Sequence, residues 1–486
     1  MWIKLTRSLE WVLWLGVIAL LPITSLPQVS RLFGGSMVAP PSAVLLLGLV
    51  MIYLIPAWVR GKALPRQSLP LLGFGLVALC ASLSSYFIDF PMFREVGFTR
   101  NMLKAGLTLA IGICAYLVSA TWAANERRLQ TILRWINWSG LVMLAWALAQ
   151  AYYARTSDNY PEWMGQIQGL FSISTLFFKR PVGLAFEPSW LAHQLNMLYL
   201  PLWVAASVRR TSAHRLRLFG ISLENLLLLG GMVVLWLTIS RVGLLAFLLT
   251  IAYLLVLASL WLVSWLQKQL LPKLHLKERG LRLAGSLTRL TLILLVIIVY
   301  AGILFGAAQL MIRTDYRMAR LFDFEALQQQ GILVYANQLV FAERIVFWQV
   351  GWEVFNDHPW IGVGLGNAGY FYPEKMSGYG WALTEVNQMI YRDTALPNTK
   401  NLWTRLLAET GLAGFGAFLV WLLVLFLTGR EIGHFRSALA STLGLAAQLT
   451  VVALLLEGFS VDTFALPYFW ILFGLATAAY TMEKDL

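Results

Sequence analysis

Two arginines with well-defined sequence neighbours are the residues of this chain best suited to chemistry. Arg180 lies in the segment KRPVGLAFEPSWLA, and Arg241 lies in TISRVGLLAF. A guanidinium group stays charged at any relevant pH and binds two phosphate oxygens at once. Arg180 and Arg241 are therefore predicted ligands of a pyrophosphate group.

Glu187 follows Arg180 by seven residues and is the carboxylate most closely tied to that segment. A carboxylate beside a bound substrate can accept the proton of an attacking hydroxyl group. We therefore predict Glu187 to be a catalytic residue, together with Arg180 and Arg241. The alternative is that Glu187 pairs with Arg180 and only fixes the start of a helix.

A third group of charged residues lies in KNLWTRLLAETG near the C-terminal end of the chain. Lys400 and Arg405 from this segment are predicted to add to the pyrophosphate site, and Glu409 is the alternative proton acceptor. The predicted accessory residues of the site are Arg344, Asn398, Asn401 and Glu409.

The composition indicates that these residues belong to a membrane protein. Hydrophobic residues make up 59% of the 486 and charged residues 13%, which is not the composition of a soluble globular protein. Apolar runs of roughly 20 residues, the length of a membrane-spanning helix, predict an all-α polytopic membrane protein with about twelve transmembrane helices. The predicted spans are residues 9–26, 38–59, 69–88, 99–120, 131–153, 188–208, 219–239, 242–264, 290–311, 401–427, 438–456 and 463–481.

The distribution of positive charge gives the orientation of these spans. Basic residues collect in alternate loops, as in cytoplasmic loops of membrane proteins. This pattern predicts cytoplasmic N- and C-termini. It also explains the net charge of +13, so no nucleic-acid partner is expected. Three stretches then share the outer face: residues 155–187, the joint at Ser240 and Arg241, and a long loop between the ninth and tenth spans.

The long loop divides the chain into three predicted parts: residues 1–311 with nine spans, the loop domain 312–400, and residues 401–486 with three spans. Its length and its aromatic residues predict a folded, helical domain. An amphipathic helix is predicted over 313–330, with Arg313, Arg317 and Arg320. A second helix is predicted over 341–355, ending before Pro359. The following GVGLGN lacks the Lys-Ser/Thr of a nucleotide-binding loop and is predicted to be a flexible turn.

These motifs, in this order and on one face of the membrane, resemble the O-antigen ligase and O-antigen polymerase superfamily. The resemblance rests on Arg-x-x-Gly…Glu-Pro-Ser at 180–189, Ser-Arg-x-Gly at 240–243, the Gly-rich turn, and Asn-Leu-x-x-x-Leu-Leu-Ala-Glu-Thr-Gly at 401–411. It implies a GT-C type glycosyltransferase of the bacterial inner membrane with a periplasmic active site. The implied donor is a polyprenyl-pyrophosphate-linked glycan, and the implied transfer is inverting and needs no metal and no cofactor. Arg180 and Arg241 match the two arginines of the family that are thought to bind the donor pyrophosphate.

One departure from the family bears on the reaction. Ligases of this superfamily carry a catalytic His where this chain has Lys400, directly before Asn401. We therefore expect a polysaccharide polymerase that joins lipid-linked oligosaccharide repeat units, with Lys400 as a phosphate ligand. The alternative is an O-antigen ligase that transfers the glycan to lipid A-core or another acceptor. Expected partners are the donor, a glycan acceptor, the lipid bilayer, and flippase and chain-length regulator proteins.

Two other classes of function fit the sequence less well. A metal-dependent GT-C enzyme needs converging carboxylates, but the predicted outer loop at 27–37 contains no Asp or Glu, and Asp89 and Glu95 are too far apart for one compact motif. A transporter or flippase of the same lipid-linked glycan usually has two similar halves. Here the long loop interrupts only the second half of the chain, which favours an enzyme.

Overall fold

The computed structural model describes residues 2–32, 35–91, 93, 97–157, 159–214, 216–270, 278–314, 325, 328–329, 331–339, 341–391 and 396–484. Almost all regular structure in these residues is helical, which confirms the predicted all-α class. The strands assigned are a two-residue antiparallel pair, β1 (Arg217–Leu218) and β2 (Ile221–Ser222).

The helices that precede the long loop begin with α1 (Trp2–Ala19), α2 (Pro27–Leu32), α3 (Pro41–Leu49), α4 (Ile55–Val59), α5 (Leu69–Ser84), α6 (Phe98–Trp122), α7 (Glu126–Thr156) and α8 (Glu162–Phe171). They continue with α9 (Pro188–Gln194), α10 (Leu200–Arg209), α11 (Leu223–Leu237), α12 (Arg241–Leu270) and α13 (Glu278–Thr314). Short π-helical turns, Val50–Leu54 and Leu195–Tyr199, join α3 to α4 and α9 to α10. The remaining helices are α14 (Ile332–Gln338), α15 (Ala342–Asp357), α16 (Tyr372–Lys375), α17 (Thr384–Tyr391), α18 (Leu402–Ile432), α19 (Ala438–Glu457) and α20 (Pro467–Lys484).

Eight helical segments in the described residues are long and apolar enough to cross a membrane. They coincide with eight of the predicted spans: Pro41–Val59, Arg66–Phe87, Phe98–Trp122, Glu126–Thr156, Arg241–Leu266, Gly285–Leu310, Leu402–Ile432 and Ala438–Glu457. The chain is therefore a polytopic membrane protein.

The other four predicted spans are also helical, but they are shorter or more polar. Helix α11 has 15 residues, a rise of about 22 Å against a hydrocarbon core of about 30 Å. Helix α1 carries Lys4, Arg7 and Glu10 in its first half, and α20 ends in Glu483 and Lys484. The run from α9 to α10 contains the buried polar residues His193, Gln194 and Asn196, and these reduce its apolar character.

The chain forms two compact units, residues 1–244 with 343–486, and residues 245–342. The predicted boundaries at 311/312 and 400/401 remain predictions. In the first unit, α6 packs on α20, while α18 packs on both α5 and α19. Large aromatic side chains fill these contacts, and Trp421 stacks on Trp470 with ring centroids 5.1 Å apart. Cys80 and Cys114 are free thiols.

The second helix predicted in the long loop is confirmed as α15, which ends at Asp357 ahead of Pro359. Its aromatic residues pack: Trp348 lies 5.4 Å from Phe459 and Trp352 lies 5.2 Å from Phe355, measured between ring centroids. Most of the amphipathic helix predicted over 313–330, including Arg317 and Arg320, lies outside the described residues.

The Gly-rich turn after α15 forms main-chain hydrogen bonds with a break in α18. Gly411 has φ 61° and ψ −167°, which interrupts the helix. The main-chain N–H groups of Val363 and Gly364 donate to the carbonyl oxygens of Ala408 (3.0 Å) and Glu409 (2.9 Å), and Leu412 N–H donates to Pro359 (2.8 Å). The turn therefore supplies partners for the backbone groups that the break exposes.

Candidate active site

A tight turn sets the position of Arg180. Lys179 has φ 58°, and the main-chain N–H of Arg180 donates to the carbonyl of Phe177 at 3.3 Å. The same carbonyl accepts the Tyr160 hydroxyl at 2.9 Å. Burial raises the pKa of Tyr160, so the hydroxyl keeps the proton that it donates. The turn holding Arg180 is thus anchored to the chain that precedes α8.

The residues after Arg180 are held by one glutamine of α7. Gln150 accepts at Oε1 from the main-chain N–H groups of Val182 (2.9 Å) and Gly183 (2.8 Å). Its Nε2 donates to the Gly183 carbonyl at 3.2 Å and to Gln168 at 3.0 Å. Because Gln150 is fully buried, it fixes the Arg-x-x-Gly segment to the helix bundle.

Arg180 reaches the joint that carries Arg241. Its Nε donates to the carbonyl oxygen of Thr238 at 2.8 Å. Thr238 follows α11 and precedes Arg241, the first residue of α12, by three positions. The two predicted pyrophosphate ligands, far apart in sequence, are therefore brought to the same joint.

The joint itself has a strained backbone. Ile239 has φ 51°, a left-handed conformation that is unfavourable for a β-branched residue and persists where the surroundings hold it. The Ser240 hydroxyl caps the start of α12, since Ser240 Oγ accepts the Gly243 N–H at 3.4 Å. This reversal lets α12 begin at Arg241 with only three residues between it and the end of α11.

Gly243 explains the Ser-Arg-x-Gly spacing. A Cβ atom at Gly243 would lie 2.7 Å from the Cβ of Ala192 in α9, closer than side chains approach. The absence of a side chain lets α9 pack directly on the first turn of α12. Glu187, the residue before α9, is thereby brought to the same region as Arg241.

Glu187 occupies the N-cap position of α9 with an extended backbone, and Pro188 follows at the first helical position. Its carboxylate accepts a hydrogen bond from the hydroxyl of Ser189, not a capping bond from the α9 backbone. The Glu187 side chain is half-buried. The Glu-Pro-Ser motif thus combines a helix start with a carboxylate held by a neighbouring hydroxyl.

Lys400 lies directly before α18 in a left-handed conformation, φ 50°. Its ammonium lies 4.9 Å from the ring centroid of Phe347 in α15, a cation–π contact. Asn398 Oδ1 accepts the Lys400 N–H at 3.2 Å. Asn401 is the N-cap of α18, and its Oδ1 accepts from Trp403 N–H (2.9 Å) and Thr404 N–H (3.3 Å). Asn398 and Asn401 therefore fix the main chain around Lys400.

Arg405 and Glu409 form a buried ion pair one turn apart in α18, with 3.0 Å between Arg405 Nε and Glu409 Oε2. A second nitrogen of Arg405 donates to the Asp462 carbonyl at 2.7 Å, and the guanidinium lies 5.1 Å from the Phe464 ring centroid. The main chain of Gly366, in the Gly-rich turn, also hydrogen-bonds the Glu409 carboxylate. Arg405 and Glu409 thus join α18, the Gly-rich turn and the loop between α19 and α20.

That loop, residues 458–466, also accepts hydrogen bonds from the predicted accessory residue Arg344 and from the start of α18. Arg344 donates to the Phe459 carbonyl at 3.3 Å, and the Leu402 N–H donates to the Gly458 carbonyl at 2.7 Å. Tyr372 of the long loop lies near it as well. Burial raises the pKa of Tyr372 well above its usual value, and the negative charges of Asp462 and Glu409 raise that pKa further.

The chain was compared with known families and curated proteins. Residues 226–419 match the family model described as O-antigen ligase. This region of the chain is similar to O-antigen ligases. The match confirms the predicted resemblance to the O-antigen ligase and polymerase superfamily, whose members are glycosyltransferase-like enzymes. A search of curated proteins finds no match.

The matched region contains Arg241, the Gly-rich turn, and Lys400 with the ion pair of α18, while Arg180 and Glu187 precede it. Arg180 contacts the matched region directly, through its hydrogen bond to the Thr238 carbonyl. Chemically, the arrangement offers guanidinium groups for phosphate oxygens and a half-buried carboxylate for a hydroxyl proton. Within the described residues, no three His, Cys, Asp or Glu side chains lie together in a way that could hold a metal ion.

Sequence reasoning missed Asn196, Glu457 and Asp462, all buried polar residues of this region. Asn196 Nδ2 donates to Glu457 Oε1 at 2.6 Å and to the Gly243 carbonyl at 2.7 Å. Polar residues inside or at the ends of apolar spans are costly and usually functional. That signal was present in the sequence for all three.

Proposed function

We propose that this protein is a polysaccharide polymerase of the bacterial inner membrane. It joins polyprenyl-pyrophosphate-linked oligosaccharide repeat units on the periplasmic face by inverting glycosyl transfer that needs no metal. The observation that carries the proposal is the hydrogen bond from Arg180 to the Thr238 carbonyl. It brings Arg180 to the joint before α12, where Arg241 lies within the region that matches the O-antigen ligase family.

In the proposed reaction, the growing chain on its polyprenyl carrier is the donor. The non-reducing hydroxyl of a lipid-linked repeat unit attacks the anomeric carbon of the donor, and the polyprenyl pyrophosphate leaves with the bonding electron pair. Arg180, Arg241 and Lys400 stabilise the charge that develops on the leaving pyrophosphate. Glu187 accepts the proton of the attacking hydroxyl.

Arg405 has a different role in this proposal from the one expected from sequence. Its guanidinium already contacts Glu409, Asp462 and Phe464. We therefore assign Arg405 and Glu409 to bracing the site, with Asn398 and Asn401 holding the main chain of Lys400 and Arg344 holding the 458–466 loop.

The ligase reaction, with lipid A-core as acceptor, is the second candidate because the matched family is described as O-antigen ligase. Purified protein in detergent with a lipid-linked repeat unit, with and without lipid A-core, separates the two. A polymerase lengthens the glycan on its carrier without lipid A-core, whereas a ligase forms product only when lipid A-core is present. A transporter gives no chemical product in either mixture, which would contradict both reactions.

A further inference from the structure

Glu457 is a buried carboxylate that the proposed reaction does not use. It is the last residue of α19 and is 1% exposed. Its Oε1 accepts from Asn196 Nδ2 at 2.6 Å, while its Oε2 is buried with no hydrogen-bond partner in the described part of the chain. Burying a carboxylate with one oxygen unpartnered is costly, which makes Glu457 a candidate for a functional role.

The partner of Glu457 leads to the helix that carries Arg241. The Nδ2 group of Asn196 has two hydrogens, which allows it to donate both to Glu457 and to the Gly243 carbonyl, 2.7 Å away. Gly243 lies in the first turn of α12, two residues after Arg241. The Asn196 amide therefore ties the end of α19 to the start of α12.

Glu457 is also next to the segment that carries Lys400. The carbonyl of Gly458, the following residue, accepts the N–H of Leu402 in the first turn of α18. Through Asn196 on one side and Gly458 on the other, Glu457 connects the two groups of basic residues, one at the start of α12 and the other before α18.

We propose that Glu457 and Asn196 are positioning residues that fix Arg241 relative to Lys400 for binding of the lipid pyrophosphate. The inference rests on the proposed function for its ligand. It assigns a role to two residues that lie outside the matched region. Asn196 donates to the main chain of α12, and the residue after Glu457 accepts from the main chain of α18.

Binding of polyprenyl pyrophosphate to the purified full-length protein in detergent tests this role without requiring turnover. Asn196→Leu removes both hydrogen bonds, and we expect it to raise the Kd about three- to tenfold. Glu457→Gln keeps an oxygen that accepts from Asn196, so its Kd should stay within about twofold of the wild type. The double variant Asn196→Leu/Glu457→Leu leaves neither partner buried alone, which preserves folding better than the single change. It should show the same weakened binding as Asn196→Leu.

The chain offers a matched control at another place in the bundle. Asn137 is buried and donates from Nδ2 to the buried Glu224 at 3.0 Å, and neither residue has a described hydrogen bond to α12. Asn137→Leu should lower the Tm as Asn196→Leu does but leave the Kd unchanged. An unchanged Kd in Asn196→Leu and in the double variant, or an equal rise in Asn137→Leu, overturns the inference. Failure of the proposed function is a separate result, namely that wild-type protein forms no glycosidic product.

Discussion

Arg180 donates from Nε to the carbonyl oxygen of Thr238 at 2.8 Å, and Arg241 follows Thr238 by three residues. The contact unites two motifs that are about sixty residues apart in the sequence. The contact depends on two backbone turns, one at Lys179 and one at Ile239, and both residues have a left-handed conformation. This relationship is the basis for the predictions on pyrophosphate binding.

The first prediction concerns the two arginines. Arg180→Ala and Arg241→Ala should each lower kcat/KM by about a hundredfold or more, because each removes a charge-assisted contact to the leaving pyrophosphate. Lysine at either position keeps the charge without the bidentate geometry, so it should restore activity only in part. Arg127→Ala, an exposed arginine in the first turn of α7, is the control. Full activity of both alanine variants at normal membrane levels would exclude this role.

The second prediction concerns Glu187. Glu187→Gln should leave binding of polyprenyl pyrophosphate unchanged and reduce turnover by roughly two to four orders of magnitude, because the amide cannot accept the hydroxyl proton. Binding and single-turnover assays measure the two effects separately. Ser189→Ala, which removes the described partner of the carboxylate, should have a much smaller effect. If Glu187→Gln instead weakens binding or folding, the carboxylate is structural. If Glu187→Gln turns over at the wild-type rate, Glu187 has no part in the mechanism.

The third prediction tests whether Arg405 stabilises the fold through its ion pair with Glu409 or binds the substrate. Arg405→Leu leaves Glu409 buried without its cation and should destabilise the protein by about 3–5 kcal/mol. Adding Glu409→Leu should recover most of the lost Tm, since no buried charge then remains unpaired. The double variant should retain measurable turnover. A stable double variant with no turnover and weak pyrophosphate binding would instead make Arg405 a donor ligand.

Parts of this arrangement could be predicted because they depend on local sequence. The apolar runs predicted eight spans that the helices confirm, and Pro359 correctly marked the end of α15. Two local signals were available but were not used. Asn401 is a favoured N-cap type ahead of an apolar helix, and Arg405 and Glu409 are four residues apart, the spacing of a helical ion pair.

Other parts required tertiary contacts that no local pattern encodes. GVGLGN was predicted to be a flexible turn, yet its main chain pairs with the break at Gly411, more than forty residues later. A side chain at Gly362 would collide with the backbone of Glu409 and Thr410, which explains a glycine there only once the partner is known. Asn196 and Glu457 are likewise joined across more than two hundred residues.

The fourth prediction is that turnover does not depend on a divalent cation. The proposed donor is a pyrophosphate diester whose leaving group is polyprenyl pyrophosphate, and arginine and lysine side chains would supply the charge that a metal ion would otherwise provide. Activity of the purified protein should therefore persist in EDTA. Loss of turnover on chelation, followed by recovery with Mg²⁺ or Mn²⁺, would show that the mechanism is wrong.

The most direct test of the central claim is the stoichiometry of one reaction in detergent. A purified lipid-linked repeat unit is incubated with the wild-type protein, and both free polyprenyl pyrophosphate and the lengthened lipid-linked glycan are quantified by mass spectrometry. The proposed polymerase releases one polyprenyl pyrophosphate for each glycosidic bond formed, and the Arg180→Ala/Arg241→Ala variant releases almost none. A folded wild-type protein that binds the lipid-linked repeat unit but releases no pyrophosphate and lengthens no glycan would contradict the account.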